Sequence, residues 1–355
     1  MMDPILKKYG WNSFFEESFK DYPDGYEAGR VSIEYKNGFK VLTKDGEVRG
    51  KVSGKLRQTG IRPSVGDWVV ILRDDSRTAS IHSILPRKSK FSRKDPGRVA
   101  GEQVIVTNVD HVFIVTSLNR DFNLRRLERY VAIAKESGAV PVVILSKSDI
   151  CDDPEERRKE VEEIAPGISV HVISAIKNTG ISELMDYFSA GNTVALLGSS
   201  GVGKSTLINM IMGYERQKVS GIREDDDRGR HTTTERELIL LDGGGIIIDN
   251  PGMRELQLWE AGEGLKETFS DIEELSRLCK FSDCKHDTEP GCAIKKAIKE
   301  GTLSEKRYQS YLKLQREFLA VEMKKNIGLK NMEKKKWKQI SKYANQIRKN
   351  KEKGI

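Results

Sequence analysis

No stretch of this 355-residue chain approaches the roughly 18 consecutive apolar residues of a membrane-spanning helix. The opening residues, Met1-Met2-Asp3-Pro4-Ile5-Leu6-Lys7-Lys8, lack the apolar centre of a secretory signal, so a cytoplasmic location is expected. Cysteine is scarce, with four in all. Cys151 stands alone, whereas Cys279, Cys284 and Cys292 fall within fourteen residues around His286. In a cytosolic chain that clustering points to a metal and away from disulfides. Most of the chain also lacks excess positive charge. Residues 324–355 hold twelve Lys/Arg against two Glu, a net of +10, which leaves −2 for the rest of a chain whose total is +8. The basic balance therefore belongs to the tail, and it suggests a polyanionic partner, nucleic acid first. No internal repeat is visible. A hydrophobic content of 37% is enough to build cores, and the length calls for two or three domains.

What is present is organised around Gly198-Ser199-Ser200-Gly201-Val202-Gly203-Lys204-Ser205-Thr206, which fits G-x-x-x-x-G-K-[ST] at every fixed position. An apolar strand, Thr193 to Leu197, leads in, and a short helix, Thr206 to Met212, leads out to Gly213. Glycines let consecutive N–H groups turn inward around phosphate oxygens, and the helix start adds partial positive charge. Lys204 is expected to reach the β- and γ-phosphates and Ser205 to ligate Mg²⁺.

Before this loop, residues 1–29 form an aromatic-rich helical lead. From Arg30 to Leu85 the pattern is of five short strands, with turns at Asn37-Gly38 and Lys44-Asp45-Gly46, so a small barrel, OB-like or SH3-like, is expected. Residues 89–103 are polar, basic and proline-bounded and read as a linker. From Val104, strands Val112–Thr116, Pro141–Leu145 and Ser169–Ile173 alternate with helices Leu124–Lys135, Glu155–Ile164 and Ile181–Phe188, the signature of a parallel sheet covered on both faces. After the loop helix comes a charged stretch, Glu215 to Arg230, that resembles a switch segment. A hairpin follows, Glu237–Leu241 and Ile246–Asp249, and its second strand ends in Asp249-Asn250-Pro251-Gly252.

Three segments complete a guanine-nucleotide pattern. D-x-x-G at Asp249 and Gly252 would hold Mg²⁺ through water and meet the γ-phosphate. Ser146-Lys147-Ser148-Asp149 matches [NT]-K-x-D loosely: the Asp149 carboxylate can accept both N–H groups of the guanine edge, a donor pair that adenine lacks. Ser146 stands where asparagine is usual, and the shorter side chain is not expected to make the amide's contacts to base and phosphate loop. Ser174-Ala175 fits the short element whose backbone meets the guanine oxygen. The base-recognising elements precede the phosphate loop here, which is the order of a circularly permuted domain.

With this order, the Gly229-Arg230-His231-Thr232-Thr233-Thr234 segment, the preceding barrel and the Cys/His cluster, nearly the whole chain resembles the RsgA-type circularly permuted GTPases. The resemblance implies a multidomain protein: an OB-like β-barrel (30–88), a permuted P-loop α/β GTPase domain (104–256), an α-helical zinc-binding domain (257–323) and a basic tail (324–355). It implies GTP/GDP, Mg²⁺ and one structural Zn²⁺ as bound groups, the 30S ribosomal subunit and 16S rRNA as partners, and a monomer in solution. The implied activity is GTP hydrolysis that assists late maturation of the small subunit and drives release.

Thr232, Thr233 and Thr234 compete for the switch threonine that ligates Mg²⁺, with Thr233 favoured. Met253 occupies the position where Ras-type enzymes place a water-orienting glutamine, so turnover should be slow alone, with His231 the nearest substitute and Arg230 a charge stabiliser. Cys279-x₄-Cys284-x-His286-x₅-Cys292 supplies four ligands suited to tetrahedral zinc, with Glu289-Pro290-Gly291 turning before the last. The segment after Gly252 runs into these helices, so nucleotide state is expected to reposition them. Two other readings stand beside this one: a GTP-gated, rRNA-binding assembly chaperone with negligible turnover, and a P-loop ATPase or kinase, against which Asp149 argues.

Overall fold

The computed structural model describes residues 2–94, 102–213, 236–249 and 263–323. Two short helices open the chain, α1 (Pro4–Lys8) and α2 (Ser13–Phe19). Asp3 caps α1 by accepting the Ile5 and Leu6 N–H groups, and Asn12 caps α2 through Phe14 N–H. Leu6, Trp11 and Phe15 bury themselves against Trp68 of the barrel, with the Trp11 and Trp68 ring centres 4.7 Å apart.

The barrel comprises β1 (Tyr26–Tyr35), β2 (Gly38–Thr43), β3 (Gly46–Val52), α3 (Gly54–Gln58), β4 (Trp68–Arg73) and β5 (Thr78–Ile84). Its strands run in the order β1-β2-β3-β5-β4, and β4 pairs back onto β1 to close the circle. Closure removes the exposed edges that five short strands would otherwise present. Alternate residues Val31, Phe39, Val41, Val48, Val69 and Ile71 fill the interior.

The stretch expected as a linker carries a hairpin. β6 (Lys90–Lys94) pairs antiparallel with β7 (Glu102–Thr107). Phe91 and Val106 are buried in the same core as the next domain, which is why a polar, proline-bounded sequence is nonetheless held as strand.

The main sheet then forms from β8 (His111–Ser117), β9 (Val140–Ser146), β10 (Ser169–Val172), β11 (Thr193–Leu197), β12 (Glu237–Leu240) and β13 (Ile246–Asp249). Its order is β10-β9-β8-β11-β13-β12, parallel except for β12. These strands are apolar on both faces, as a sheet covered twice requires. α4 (Leu124–Ser137) and α5 (Pro154–Ile164) lie between β8 and β10 in sequence, and α6 (Lys204–Met212) follows β11. The segment expected as a helix over Ile181–Phe188 is a 3₁₀ helix, Ser182–Phe188.

β1 of the barrel pairs with β12 at Ile33 and Glu237, so barrel and main sheet form one continuous eleven-stranded sheet. Arg30 sits at this seam. Its guanidinium donates to the Asn108 carbonyl (3.0 Å), the Thr193 hydroxyl (2.9 Å) and the Tyr9 carbonyl.

The C-terminal helices are α7 (Glu263–Thr268), α8 (Ser270–Arg277) and α9 (Ala293–Lys299), followed by helix over 305–323. Gly264 lies so close to α4 that a Cβ there would fall 2.6 Å from the Ala132 carbonyl oxygen. Leu265, Phe269 and Ile272 share one core with Leu127 and Val131 of α4. Arg307 locks the contact, bonding Asp271 through two nitrogens (2.7 and 2.8 Å), Glu128 (3.2 Å) and the carbonyls of Ile164 and Thr268 (3.0 Å each). Among the described residues no helix is long and apolar enough to cross a membrane.

Candidate nucleotide site and metal centre

The C-terminal ends of β8, β9, β11 and β13 converge on one edge of the main sheet, the edge where open α/β sheets bind ligands. Thr193–Leu197 is fully buried and delivers the chain to Gly198. Gly198 has φ +155, and a Cβ there would lie 2.3 Å from the Val115 carbonyl oxygen, so the turn out of β11 admits only glycine. Ser199, Ser200 and Gly201 are at least partly exposed along the loop. Val202 is buried and anchors the loop from inside. Gly203, in the left-handed conformation at φ +97, then starts α6, whose first turn holds Lys204, Ser205 and Thr206. The Lys204 ammonium curls back over the loop, donating to the Gly198 carbonyl at 2.7 Å and to that of Ser199. An anion above this loop would face backbone N–H groups, a helix start and an ammonium together.

β9 delivers the second component. Ser146 is buried at the strand end, and its hydroxyl lies 2.6 Å from the Val202 carbonyl and 3.2 Å from that of Thr116. Serine does not reproduce an amide's contacts, but it does reach the phosphate loop. The hydroxyl is shorter than an amide, but Val202 comes close enough to meet it. Lys147 adopts φ +59, which swings the following 3₁₀ turn, Ser148–Ile150, outward and places Asp149 at the edge.

The third component follows β10. Ser174 is fully buried, and its hydroxyl donates to Asp149 Oδ1 at 2.6 Å, while the Lys177 amide donates back to the Ser174 oxygen. Ser148 N–H also bonds the Ile173 carbonyl. The Asp149 carboxylate is thereby oriented, with Ala175 immediately beyond its support. The sequence suggested only a backbone role for Ser174-Ala175. The hydroxyl's role as a brace was missed, because the two residues are 25 apart and nothing local signals the contact.

Asp249 closes β13, two strands from β8 and beside β11, in register one step past the pair Ala195–Ile248. Thr233, His231 and Gly252, together with Arg230, Thr232, Thr234 and Met253, lie outside the described residues, as does the tail from Lys324 onward.

The cysteine cluster assembles as the spacing suggests. One ligand atom from each of Cys279, Cys284, His286 and Cys292 lies within 4.8 Å of the others. The Cys279 and Cys292 sulfurs are 4.0 Å apart, and His286 Nδ1 is 3.5 and 3.4 Å from them. Zinc bonds of about 2.3 Å to sulfur and about 2.0 Å to nitrogen at tetrahedral angles give donor–donor edges of roughly 3.5–3.8 Å. The donor set and spacing therefore fit Zn²⁺. Glu289 holds the loop by accepting Lys285 and Asp287 N–H groups, and His286 takes φ +61 to turn its ring inward. Cys292 precedes α9, whose Ala293 N–H donates to Cys279 Sγ at 3.4 Å. Burial opposes ionisation of Cys279, yet amide hydrogen bonds hold its thiol below the ordinary range, while burial and then the neighbouring thiols push Cys284 up to about 11. A divalent cation would draw these thiols to thiolates.

The RsgA GTPase family model matches residues 84–259, and an ABC transporter model matches 182–346, a span that includes the phosphate loop. A small ribosomal subunit biogenesis GTPase RsgA from Methanosarcina acetivorans is 46% identical over 334 residues, covering 94% of this chain and 90% of that protein. One of the same name from Opitutus terrae is 43% identical over 350 residues, covering 94% and 95%. Among solved structures, YjeQ from Thermotoga maritima superposes with a TM-score of 0.64 at 29% identity, covering 83% of this chain and 99% of that one. YloQ, described as a circularly permuted GTPase, gives 0.61 at 26% identity, covering 84% and 97%.

Proposed function

Because the chain belongs to the RsgA GTPase family, we propose that it binds the small (30S) ribosomal subunit, assists its late maturation, and couples hydrolysis of GTP to GDP and phosphate to its release. One observation carries this reading. The Ser146 hydroxyl ties the base-recognising loop to the phosphate loop, and the Ser174 hydroxyl braces Asp149 beside them, so three segments in permuted order meet at one sheet edge.

Each residue then has a task. Asp149 accepts the two N–H groups of guanine, the stem of Lys147 lies along the base, and Ser174-Ala175 receives the guanine oxygen. The amides of Gly198 to Thr206 cradle the phosphates, and Lys204 neutralises charge developing at the γ-phosphate. Ser205, Asp249 through water, and Thr233 would hold Mg²⁺, which would supply neutralisation of phosphate charge. Gly252 senses the γ-phosphate, and His231 is the residue assigned to orienting water. Cys279, Cys284, His286 and Cys292 would together hold Zn²⁺ with four protein ligands, which suits a structural role. The barrel, the C-terminal helices and the basic tail would touch 16S rRNA largely through phosphates, and binding should weaken steeply with salt. The protein acts in the cytoplasm as a monomer.

The deciding measurement is the GTPase rate of the protein alone, with 30S subunits and with 50S subunits. Selective stimulation by 30S is expected. Equal stimulation by both, or no binding to 30S, would remove the ribosomal reading. Because Met253 stands where a water-orienting glutamine serves in Ras-type enzymes, a GTP-gated assembly chaperone is the second reading; negligible turnover with 30S bound would favour it. Guanine selection has its own test. Asp149→Asn should raise the Kd for GDP at least about tenfold, since one charge-assisted hydrogen bond is worth roughly 1.5–3 kcal/mol. If the preference for guanine over adenine nucleotides survived that change, the role of Asp149 would be wrong.

A further inference from the structure

A cleft of about 870 Å³ opens between the segment joining α2 to β1 and the barrel wall made by α3 and the end of β5. None of its lining comes from β2 or β3, the face with which barrels of this topology commonly meet oligonucleotides. One side is a ladder of rings. Phe19 stacks on Tyr22 (5.5 Å between centres, 22° between planes), Tyr22 follows Tyr26 at 6.1 Å, and Tyr26 meets His82 edge-on at 5.4 Å. Tyr22, Tyr26 and His82 line the cleft, and Ile61, more than half exposed, adds an apolar lip.

Among the described residues the charged part of the lining is Lys55, Arg87 and Lys90, with no carboxylate. Arg87 is locked in place by two bonds of 2.7 Å to the buried Asp67 carboxylate, and Lys90 is paired with Glu102 at 2.9 Å. Lys55 stands exposed on α3 at the rim.

Aromatic faces beside a cationic rim are the two requirements for holding an unpaired nucleotide, because every base offers a π-face and every linkage a phosphate. A duplex base is hidden in its stack and cannot enter a recess of this kind. We propose that this cleft is a binding site for single-stranded RNA, with a splayed base against Tyr22, Tyr26 and His82 and the adjoining phosphate on Lys55. The ladder of rings with Lys55 at its rim matches a base and the phosphate next to it, whereas Arg87 and Lys90 already have carboxylate partners. The proposal rests on the reading that the partner is a ribosomal subunit, and it names where an unpaired segment of that partner's RNA would lie.

The test uses the full chain, a short oligouridylate containing 4-thiouridine, and 30S subunits. Illumination should crosslink the oligonucleotide to peptides holding Tyr22, Tyr26 or His82. Tyr22→Ala with Tyr26→Ala should weaken oligonucleotide binding about tenfold or more, and the surface change Lys55→Glu should weaken it several-fold. GDP affinity, unchanged in all variants, reports that they fold. Crosslinks that map elsewhere, or variants that bind the oligonucleotide like the unaltered protein, would overturn the proposal. So would variants that lose 30S binding while the oligonucleotide is ignored, an outcome that would assign the cleft to a protein. Crosslinking at the cleft without binding to 30S would support the RNA site and count against the ribosomal reading alone; the reverse result would remove only the cleft.

Discussion

Two buried arginines hold this molecule together, and they do so by different chemistry. Arg30 secures the barrel to the main sheet with neutral partners: the carbonyls of Tyr9, Asn108 and Gly66 and the hydroxyl of Thr193. Burial draws its pKa down to about 10, with Asp110 and Asp67 opposing the shift from a distance. Arg307 secures the C-terminal helices to α4 and α5 with charged partners in direct contact, Glu128 and Asp271. Burial lowers its pKa too, but the hydrogen bonds and charges of those carboxylates outweigh it, and the net shift is upward. Both stay charged at neutral pH. The difference lies in what is left behind if the cation is lost. At the Arg30 seam that is a set of carbonyls, one of which, on Gly66, also accepts from Asn108 Nδ2. At the Arg307 seam it is two carboxylates: Asp271, and the fully buried Glu128, which keeps Arg125 at 2.9 Å and the Ser310 hydroxyl as partners.

The comparison can be tested from the largest effect down. Removing zinc should be the most damaging, because structural zinc sites contribute about 10–16 kcal/mol to folding in isolated finger peptides. A strong chelator should abolish hydrogen-exchange protection from Cys279 to Lys299 and leave that of β1 and β4 intact. Loss of protection in the barrel as well would mean the two junctions are not independent. Next, Arg307→Met should cost about 2–4 kcal/mol in denaturant unfolding, since it removes charge-assisted hydrogen bonds to two carboxylates, Asp271 and the buried Glu128, which keeps Arg125 as its remaining cation. Arg307→Lys, which keeps the charge, should lose less than Arg307→Met, and an equal loss would show that packing on Phe269, not charge, secures the helices.

Arg30→Met should cost less, roughly 1–3 kcal/mol, because carbonyls and a hydroxyl lose a partner but no charge is left unpaired. A loss exceeding that of Arg307→Met would reverse the ranking of the two junctions. The smallest effect belongs to Glu34→Gln. Glu34 bridges Arg236 (3.2 Å) and the exposed Arg62 (3.1 Å) beside the β1–β12 pairing. Such a partly solvated pair is worth up to about 1 kcal/mol, read most cleanly as a small drop in melting temperature that vanishes in high salt.

The expected nucleotide-driven motion of the C-terminal helices would have to pass through Arg307. The sequence suggested that the segment beyond Gly252 drags these helices directly. Since they share a buried core and an ion-pair network with α4, any such movement carries α4 with it or breaks the network. Hydrogen exchange of α4 in GTP- and GDP-bound protein would distinguish these routes.

Much of the site was legible because its chemistry is local. A phosphate loop needs glycine, lysine and serine at fixed spacing, and a zinc centre needs four soft or borderline ligands within one short span. The closed barrel was legible in its number of strands and its turns, but its strand order was not, since the pairing of β4 with β1 joins residues far apart in sequence. Residues 89–103, which hold β6 and the first two residues of β7, were read as linker because their composition is polar; Phe91 earns its burial only when the main sheet is present to cover it.

Ser146 shows the boundary between the two kinds of information most clearly. The sequence alone determined that a serine stands where asparagine is usual, that Asp149 follows at the right distance, and that base recognition precedes the phosphate loop. Only the tertiary structure decided that the serine still reaches Val202, fifty-six residues away, and that Ser174 braces Asp149. A motif specifies which donors and acceptors exist. Whether a hydroxyl spans the gap depends on where two strands place their ends, to within a few tenths of an ångström, and that is set by the packing of the whole sheet.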